Sequence, residues 1–224
     1  MNNKFIADTN ILSKIYKMIN SNLKIIISTL ILIFIIFLSY QGYSYYALTK
    51  IQKNSITYFN GLNLKDDNKF YELMVELSNS NDFYSILSKL ELINLNINKE
   101  NYDKALELYE IILKNNKIEN IYKTAIASKA AYNFINIQYN HPSLEFIPKI
   151  KELISYIDES LTSYIGIKLE LEYLLIVTEQ DLNDVDYKSS NEIIDLHKLI
   201  IESENISSKI KERVNKIHEY QLYN

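Results

Sequence analysis

The chain has 224 residues and a formal net charge of −4; 47% of its residues are hydrophobic and 23% charged, with only 3 Gly and 2 Pro. So few turn-formers exclude collagen-like and Gly/Ser low-complexity chains and argue against many-stranded β folds, while the length is enough to bury a real core. Cys is absent, which removes disulfides, thiol nucleophiles and Cys-based zinc sites, and the histidines His141, His197 and His218 have no short metal-ligand spacing.

The first 24 residues form a tail bearing Lys4, Lys14, Lys17 and Lys24 against Asp8. No charge then occurs until Lys50. Ile25 to Leu38 is almost purely apolar, and the run continues through Tyr40, Tyr43, Tyr45 and Tyr46. A hydrocarbon core about 30 Å thick needs about 20 helical residues. The spacing therefore predicts a transmembrane helix over 25–48, in contact with membrane lipid, its tyrosines at one headgroup belt. A buried core helix would carry a polar face, which this run lacks. A cleaved signal peptide is the sharper rival, but the preceding tail is long for such a leader and no Ala-x-Ala site follows. The lysines before the span outnumber Lys50 and Lys53 after it. The positive-inside rule then puts the N-terminus in the cytoplasm and the rest outside, on the periplasmic side of the inner membrane in a Gram-negative bacterium.

Residues 49–65 read as a stalk and 66–224 as a helical repeat domain. Residues 50–224 hold 20 basic and 27 acidic side chains, which disfavours nucleic acid as a partner. The composition is skewed, with 37 Ile, 26 Asn and 19 Tyr but a single arginine, Arg213. This is the pattern of AT-rich codon usage, so Asn is discounted as a turn signal. Apolar periodicity is helical throughout. Asp66-Asp67 caps a short helix carrying Phe70, Leu73, Met74 and Leu77. Asn81-Asp82 caps the next, with Phe83, Ile86, Leu87, Leu90 and Ile93 on one face. Helices follow over 101–113, 118–139 (with Ala125, Ala127, Ala130 and Ala131), from about Ser143 after the His141-Pro142 break, and over 160–179. Asp181 to Asp186 reads as a polar turn, followed by helices over 189–202 and 205–223. Short connections predict antiparallel hairpins, and their second helices recur about every 42–46 residues, as in helix-hairpin solenoids.

The segment Asn101-Tyr102-Asp103-Lys104-Ala105-Leu106-Glu107-Leu108-Tyr109-Glu110 reads like the second helix of a tetratricopeptide repeat. Ala105 is small where two helices must touch, and Tyr109 fills the next groove. An ordinary amphipathic helix is the plainer reading of the segment alone. Two departures from the repeat are visible: no Gly ends the helix before it, and Lys117 stands where proline is common. The whole order of features resembles the tetratricopeptide-like family of single-span bacterial inner-membrane proteins that includes the ancillary subunit of the SecYEG translocon, its alphaproteobacterial and rickettsial branch in particular. The order is a Lys-bearing tail, one span, a Tyr-rich stalk and degenerate hairpins, with Tyr84 to Leu90, Asn101 to Leu113 and the Ala-rich stretch 125–131 as the strongest parts. The resemblance implies an all-α fold and a membrane-tethered protein-interaction scaffold. It implies protein partners, among them Sec translocon subunits, periplasmic chaperones and client polypeptides, with no catalytic residues and no cofactor. A structural or assembly factor of another envelope complex is the alternative.

Residue by residue, no catalytic or metal site is expected. Asp66/Asp67 and Asp184/Asp186 lack the Gly of a calcium loop and read as caps and turns. Gly42, Gly61 and Gly166 lie too far apart for a phosphate loop. His197 and His218 are read as helix-edge contacts. The first helices of stacked hairpins line the inner face of a solenoid. Tyr84, Tyr122, Tyr132 and Tyr173 lie on them and are the candidate peptide-groove residues, whereas Ala105 and Tyr109 are assigned to repeat packing.

Overall fold

A computed structural model describes residues 13–183, 187 and 190–223. The chain divides into two compact units, one ending at Lys65 and the other beginning at Asp66.

In the first unit, helical residues 13–21 lead through a turn at Asn22 into α1 (Leu23–Leu62). Its most apolar stretch has a mean hydropathy of 2.5 and no buried residue, and the helix is long and apolar enough to cross a membrane. Two hydroxyls within its apolar part turn to their own backbone: Thr29 Oγ1 donates to the Ile25 carbonyl and Ser39 Oγ to that of Ile35, each at 2.9 Å. Hydroxyls satisfied this way keep the stretch between Ile25 and Ser39 compatible with an apolar surrounding. The helix does not stop at Leu48. It continues through the segment expected as a stalk, so most of that stalk is helical.

The second unit contains α2 (Asp67–Ser78), α3 (Phe83–Asn98), α4 (Tyr102–Leu113), α5 (Asn120–Asn140), α6 (Ile147–Ser155), α7 (Thr162–Asn183), α8 (Asn191–Glu202) and α9 (Ser208–Tyr223). The starts follow local chemistry. Asp66 accepts from the Asn68 and Lys69 amides, Asp82 from those of Tyr84 and Ser85, and Ser190 from that of Ile193, each satisfying donors that a helix start leaves open. Between α3 and α4 the chain reverses without glycine. Glu100 takes φ 58°, the Asn101 amide returns to the Asn96 carbonyl at 2.8 Å, and the Glu100 amide to that of Ile97 at 3.0 Å. This is the double-bonded helix ending that Gly normally closes.

Two helix boundaries are corrected, and the face that α3 buries is refined. The helix expected from Ser143 begins at Ile147. Gln138, fully buried on α5, donates to the Leu144 carbonyl and accepts the Phe146 amide, holding 144–146 in an irregular path until Pro148 enters the first turn. On α3 the buried set is Ser85, Ser88, Leu92, Ile93 and Asn96, whereas Phe83 is 55% exposed and Ile86, Leu87 and Leu90 are only half-buried. Small hydroxyl residues let α3 approach its neighbours closely, and Ser85 Oγ donates to the Ser78 carbonyl at 2.7 Å. The expected polar turn begins later too, because α7 runs to Asn183; Asp184 and Asp186 lie outside the described residues.

Hairpins α3–α4, α5–α6 and α7–α8 stack in order. The second helix of one packs on the first helix of the next, α5 also packs on α7, and α9 closes the array against α7 and α8. Two cores result. The larger spans α3 to α7 and includes Ile93, Ala105, Tyr109, Ala127, Phe134 and Ile150. Ala127, Ala130 and Ala131 are fully buried, as are Ala105 and Tyr109. Tyr109 meets Phe134 edge-on at 6.3 Å, and its hydroxyl accepts from Asn133 Nδ2 at 3.1 Å. Burial pushes that phenol up to about 12. The smaller core joins α7, α8 and α9 through Tyr173, Val177, Ile193, Ile200, Ile206 and Val214.

Candidate functional site

Among the described residues, two of the grooves between the stacked helices have the most apolar linings. The first, about 820 Å³, lies between α3, α4 and α5. Ile86 and Leu90 form one wall, Ile111 of α4 another, and Tyr122, Ala125 and Ile126 of α5 the third. Phe83, Ile111 and Tyr122 are 55%, 47% and 54% exposed. The apolar stripe of α3 therefore serves two surfaces: Ile93 lies in the larger core, and Ile86 and Leu90 pack against that core while also lining this groove. The second, about 450 Å³, lies between α5, α7 and α9, with Tyr132, Tyr139, Leu174, Ile217 and Tyr220 around it. Burial raises the pKa of Asp181 at its edge.

The four tyrosines expected in one groove are not brought together. Tyr122 lines the first groove and Tyr132 the second. Tyr84 is half-buried with its ring edge-on to Phe83. Tyr173 has no exposed surface and belongs to the smaller core, so it is not available to a ligand. The first groove also draws on α4, a second helix of a hairpin, so it is not lined by first helices alone.

Sequence reasoning missed the polar groups that flank these grooves. Lys89 lines the first groove, half-buried, and donates from Nζ to the Ser78 carbonyl and, at 2.6 Å, to Ser85 Oγ. Burial lowers its pKa. Beside the second groove, Glu170 is 1% exposed and holds three charge-assisted bonds. Arg213 donates to it in a fork, Nε to Oε1 and Nη2 to Oε2, each at 2.6 Å, and the Tyr132 hydroxyl donates to Oε2 at 2.6 Å. Burial and the bond to Glu170 push the Tyr132 phenol up, and the same carboxylate raises the Arg213 guanidinium.

A second chain of bonds runs from Tyr173 to Tyr187 and on to His218, whose Nδ1 is 2.6 Å from the Tyr187 hydroxyl. His197 and His218 stack with ring centres 3.8 Å apart and planes 12° apart. Burial, then the neighbouring His197, lowers the His218 pKa. The two histidines thus act as contacts between α8 and α9. Among the described residues no group of three His, Asp or Glu is arranged to hold a metal ion. The only signal for these networks in the sequence was the isolation of Arg213.

Among the described residues the geometry is one of stacked helix pairs with grooves between them. No curated protein and no solved structure matches the chain. The tetratricopeptide repeat-like domain family matches residues 17–131, from the lysine tail through the apolar helix to the alanine-rich part of α5. With more than half of its length matched, the chain belongs to the tetratricopeptide repeat-like domain family.

Proposed function

We propose that the protein is a membrane-anchored scaffold that binds protein segments in the groove between α3, α4 and α5. The observation that carries this reading is the groove itself: Phe83, Ile111 and Tyr122 stand exposed around a concavity of about 820 Å³ in a repeat fold that serves protein–protein interaction. Large apolar and aromatic side chains around a recess supply binding energy, whereas scattered ones do not. Ordering a flexible segment offsets much of that energy, so affinity is on the order of micromolar. The finer placement is beside the Sec translocon, with an uncleaved anchor, the N-terminus in the cytoplasm and the repeats outside. It draws on the lysine bias around α1 and on the resemblance in the order of features.

Photo-crosslinking in native membranes tests both levels. Photoreactive residues at Ile111 and Tyr122 should capture partners, and translocon subunits should be among them. Exposed positions outside the groove, Glu107 and Lys151, should capture little. Equal capture from both sets removes the groove, and groove-specific capture without translocon subunits removes the Sec placement. Protease added to spheroplasts should digest residues beyond 50; full protection overturns the orientation.

A further inference from the structure

We infer that the helical residues 13–21 form a binding surface for anionic lipid, lying in the headgroup layer with Ile15, Met18 and Ile19 in the bilayer and Lys14 and Lys17 on lipid phosphates. The inference rests on reading α1 as the membrane anchor and adds a second contact with the same bilayer.

Both kinds of side chain stand on one short helix. At about 100° per residue, Ile15, Tyr16, Met18 and Ile19 fall within an arc of about 160°, and Ser13, Lys14, Lys17, Asn20 and Ser21 occupy the rest. The apolar arc is open: Ile15 is 48% exposed, Tyr16 71%, Met18 70% and Ile19 46%. The polar arc carries two lysines, and no Asp or Glu occurs between Asp8 and Asp66 to offset them. The helix also ends before α1 starts. Asn22 takes φ −110° and ψ 12°. Its Nδ2 donates to the Met18 carbonyl at 3.0 Å, and Ser21 Oγ donates to the same oxygen at 3.1 Å. The turn thus satisfies a C-terminal carbonyl locally, and helix 13–21 is a unit of its own.

Its place beside the span decides what covers the apolar arc. Lys24 bounds the uncharged run and so marks the edge of the hydrocarbon. Continued straight beyond Lys24, residues 13–21 would carry Ile15, Met18 and Ile19 into water. Sliding the span to bury them would draw Lys14, Lys17 and Lys24 into hydrocarbon, where an ammonium is strongly disfavoured. Lying along the interface satisfies both sets at once. The apolar arc enters the acyl boundary, Tyr16 sits at the headgroup belt, and the lysines meet phosphate. The interruption at Asn22 lets the helix leave the line of α1. An anionic layer complements this surface better than a zwitterionic one, because each lysine near negative headgroups adds attraction.

Because the chain has no cysteine, a spin label can be attached at one chosen position. The full-length chain with Ser13→Cys, Ile15→Cys, Ile19→Cys, Asn20→Cys or Phe34→Cys is labelled in nanodiscs of phosphatidylcholine, with and without phosphatidylglycerol. Each label is then probed with oxygen and with an aqueous nickel chelate. In the mixed discs oxygen should reach the labels at Ile15 and Ile19, and the chelate those at Ser13 and Asn20. Phe34, inside the span, reports on the anchor itself. Lys14→Gln and Lys17→Gln should each lower the ratio of embedded to water-exposed label at Ile19 about fivefold in mixed discs. They should change little in phosphatidylcholine alone, and Lys14→Arg and Lys17→Arg should keep the wild-type ratio. If the chelate reaches every label on helix 13–21 while Phe34 stays in the acyl region, the inference falls and the anchor stands. If oxygen reaches all of them equally, the helix is a continuation of the span; if both probes are kept from Ile15 and Ile19, protein covers the arc. Either result overturns the inference. A Lys→Gln loss that is absent, or equal in both lipids, removes the anionic headgroup as the ligand. Chelate access at Phe34 removes the anchor and this inference with it.

Discussion

The two cores of the repeat unit are built on different principles, although α7 belongs to both. The larger is held by area: fully buried Ile93, Phe134, Ile150 and Leu153 interlock around Ala105, Ala127, Ala130 and Ala131, which let the helices come close. The smaller has fewer aliphatic residues and closes with α9, of whose residues only Ile210 and Val214 are buried. There, directional bonds take over. Glu170 grips Arg213, Tyr187 joins Tyr173 to His218, and His218 lies against His197. Among the described residues α9 packs chiefly on α7 and α8, so it gathers fewer apolar contacts than a helix packed between two hairpins. A few buried polar bonds fix its position instead, at the cost of needing every partner present.

The comparison can be broken most severely in the larger core. Phe134→Ala should cost about 3–5 kcal/mol, since it opens a cavity against Tyr109 and Phe146 in the best-packed layer. A smaller loss, read from chemical denaturation of the full chain in detergent, would show that the layer collapses onto the space. Arg213→Ala should cost about 2–3 kcal/mol, because it strands the Glu170 carboxylate, while the half-exposed guanidinium keeps the loss below that of a fully buried pair. Glu170→Gln in the same background should recover part of it. No recovery would mean that the buried charge was not the cause. Ala105→Leu should cost about 1–3 kcal/mol by forcing α4 away from its neighbours; an unchanged melting midpoint removes Ala105 from the close contact.

The smaller core should also respond to acid. The His218 pKa is lowered from 6.5 by folding, so the unfolded chain binds the proton more readily. The stability that this gives is fully present above 6.5 and is lost as pH falls through the folded value. Glu219 beside His218 pulls its pKa upward, and the raised carboxylates Glu172 and Asp181 give stability of the opposite pH dependence. The effect is therefore read as the difference between wild type and His218→Gln. The melting midpoint of the wild type should fall more steeply below pH 6.5, and parallel curves would exclude His218 as the acid-sensitive contact. The smallest effect should be a gain. Glu100→Gly relieves a left-handed backbone that costs a side chain about 1 kcal/mol, and a midpoint that falls would show that the Glu100 side chain contributes to the turn.

Much of this architecture could be read in the chain itself. The uncharged run between Lys24 and Lys50 marks α1, and Asp66 and Asp82 mark helix starts, because these signals are local. The face that α3 buries could be read only in part. Ile93 lies in the larger core and Ile86 and Leu90 pack against it, but Phe83 at the start of the same stripe is exposed, and the buried Ser85 and Ser88 gave no apolar signal. The four tyrosines were alike by position, and only packing separates buried Tyr173 from exposed Tyr122. Lys89 gave no signal, since a lysine on a helix is ordinarily solvated. Glu170 and Arg213 are 43 positions apart, and nothing local links them.

The pairing of Glu170 with the one arginine also has a meaning at the level of mutation. Lysine supplies all but one of the 24 basic residues of this chain, and Arg213 is the exception. On an exposed helix face that exchange is close to silent. At position 213 it is not, because a lysine is a point charge and cannot hold both carboxylate oxygens in one plane. A codon change that put lysine at position 213 would therefore loosen the closing helix. Arg213→Lys is the change by which ordinary drift would begin to unfasten the end of the solenoid.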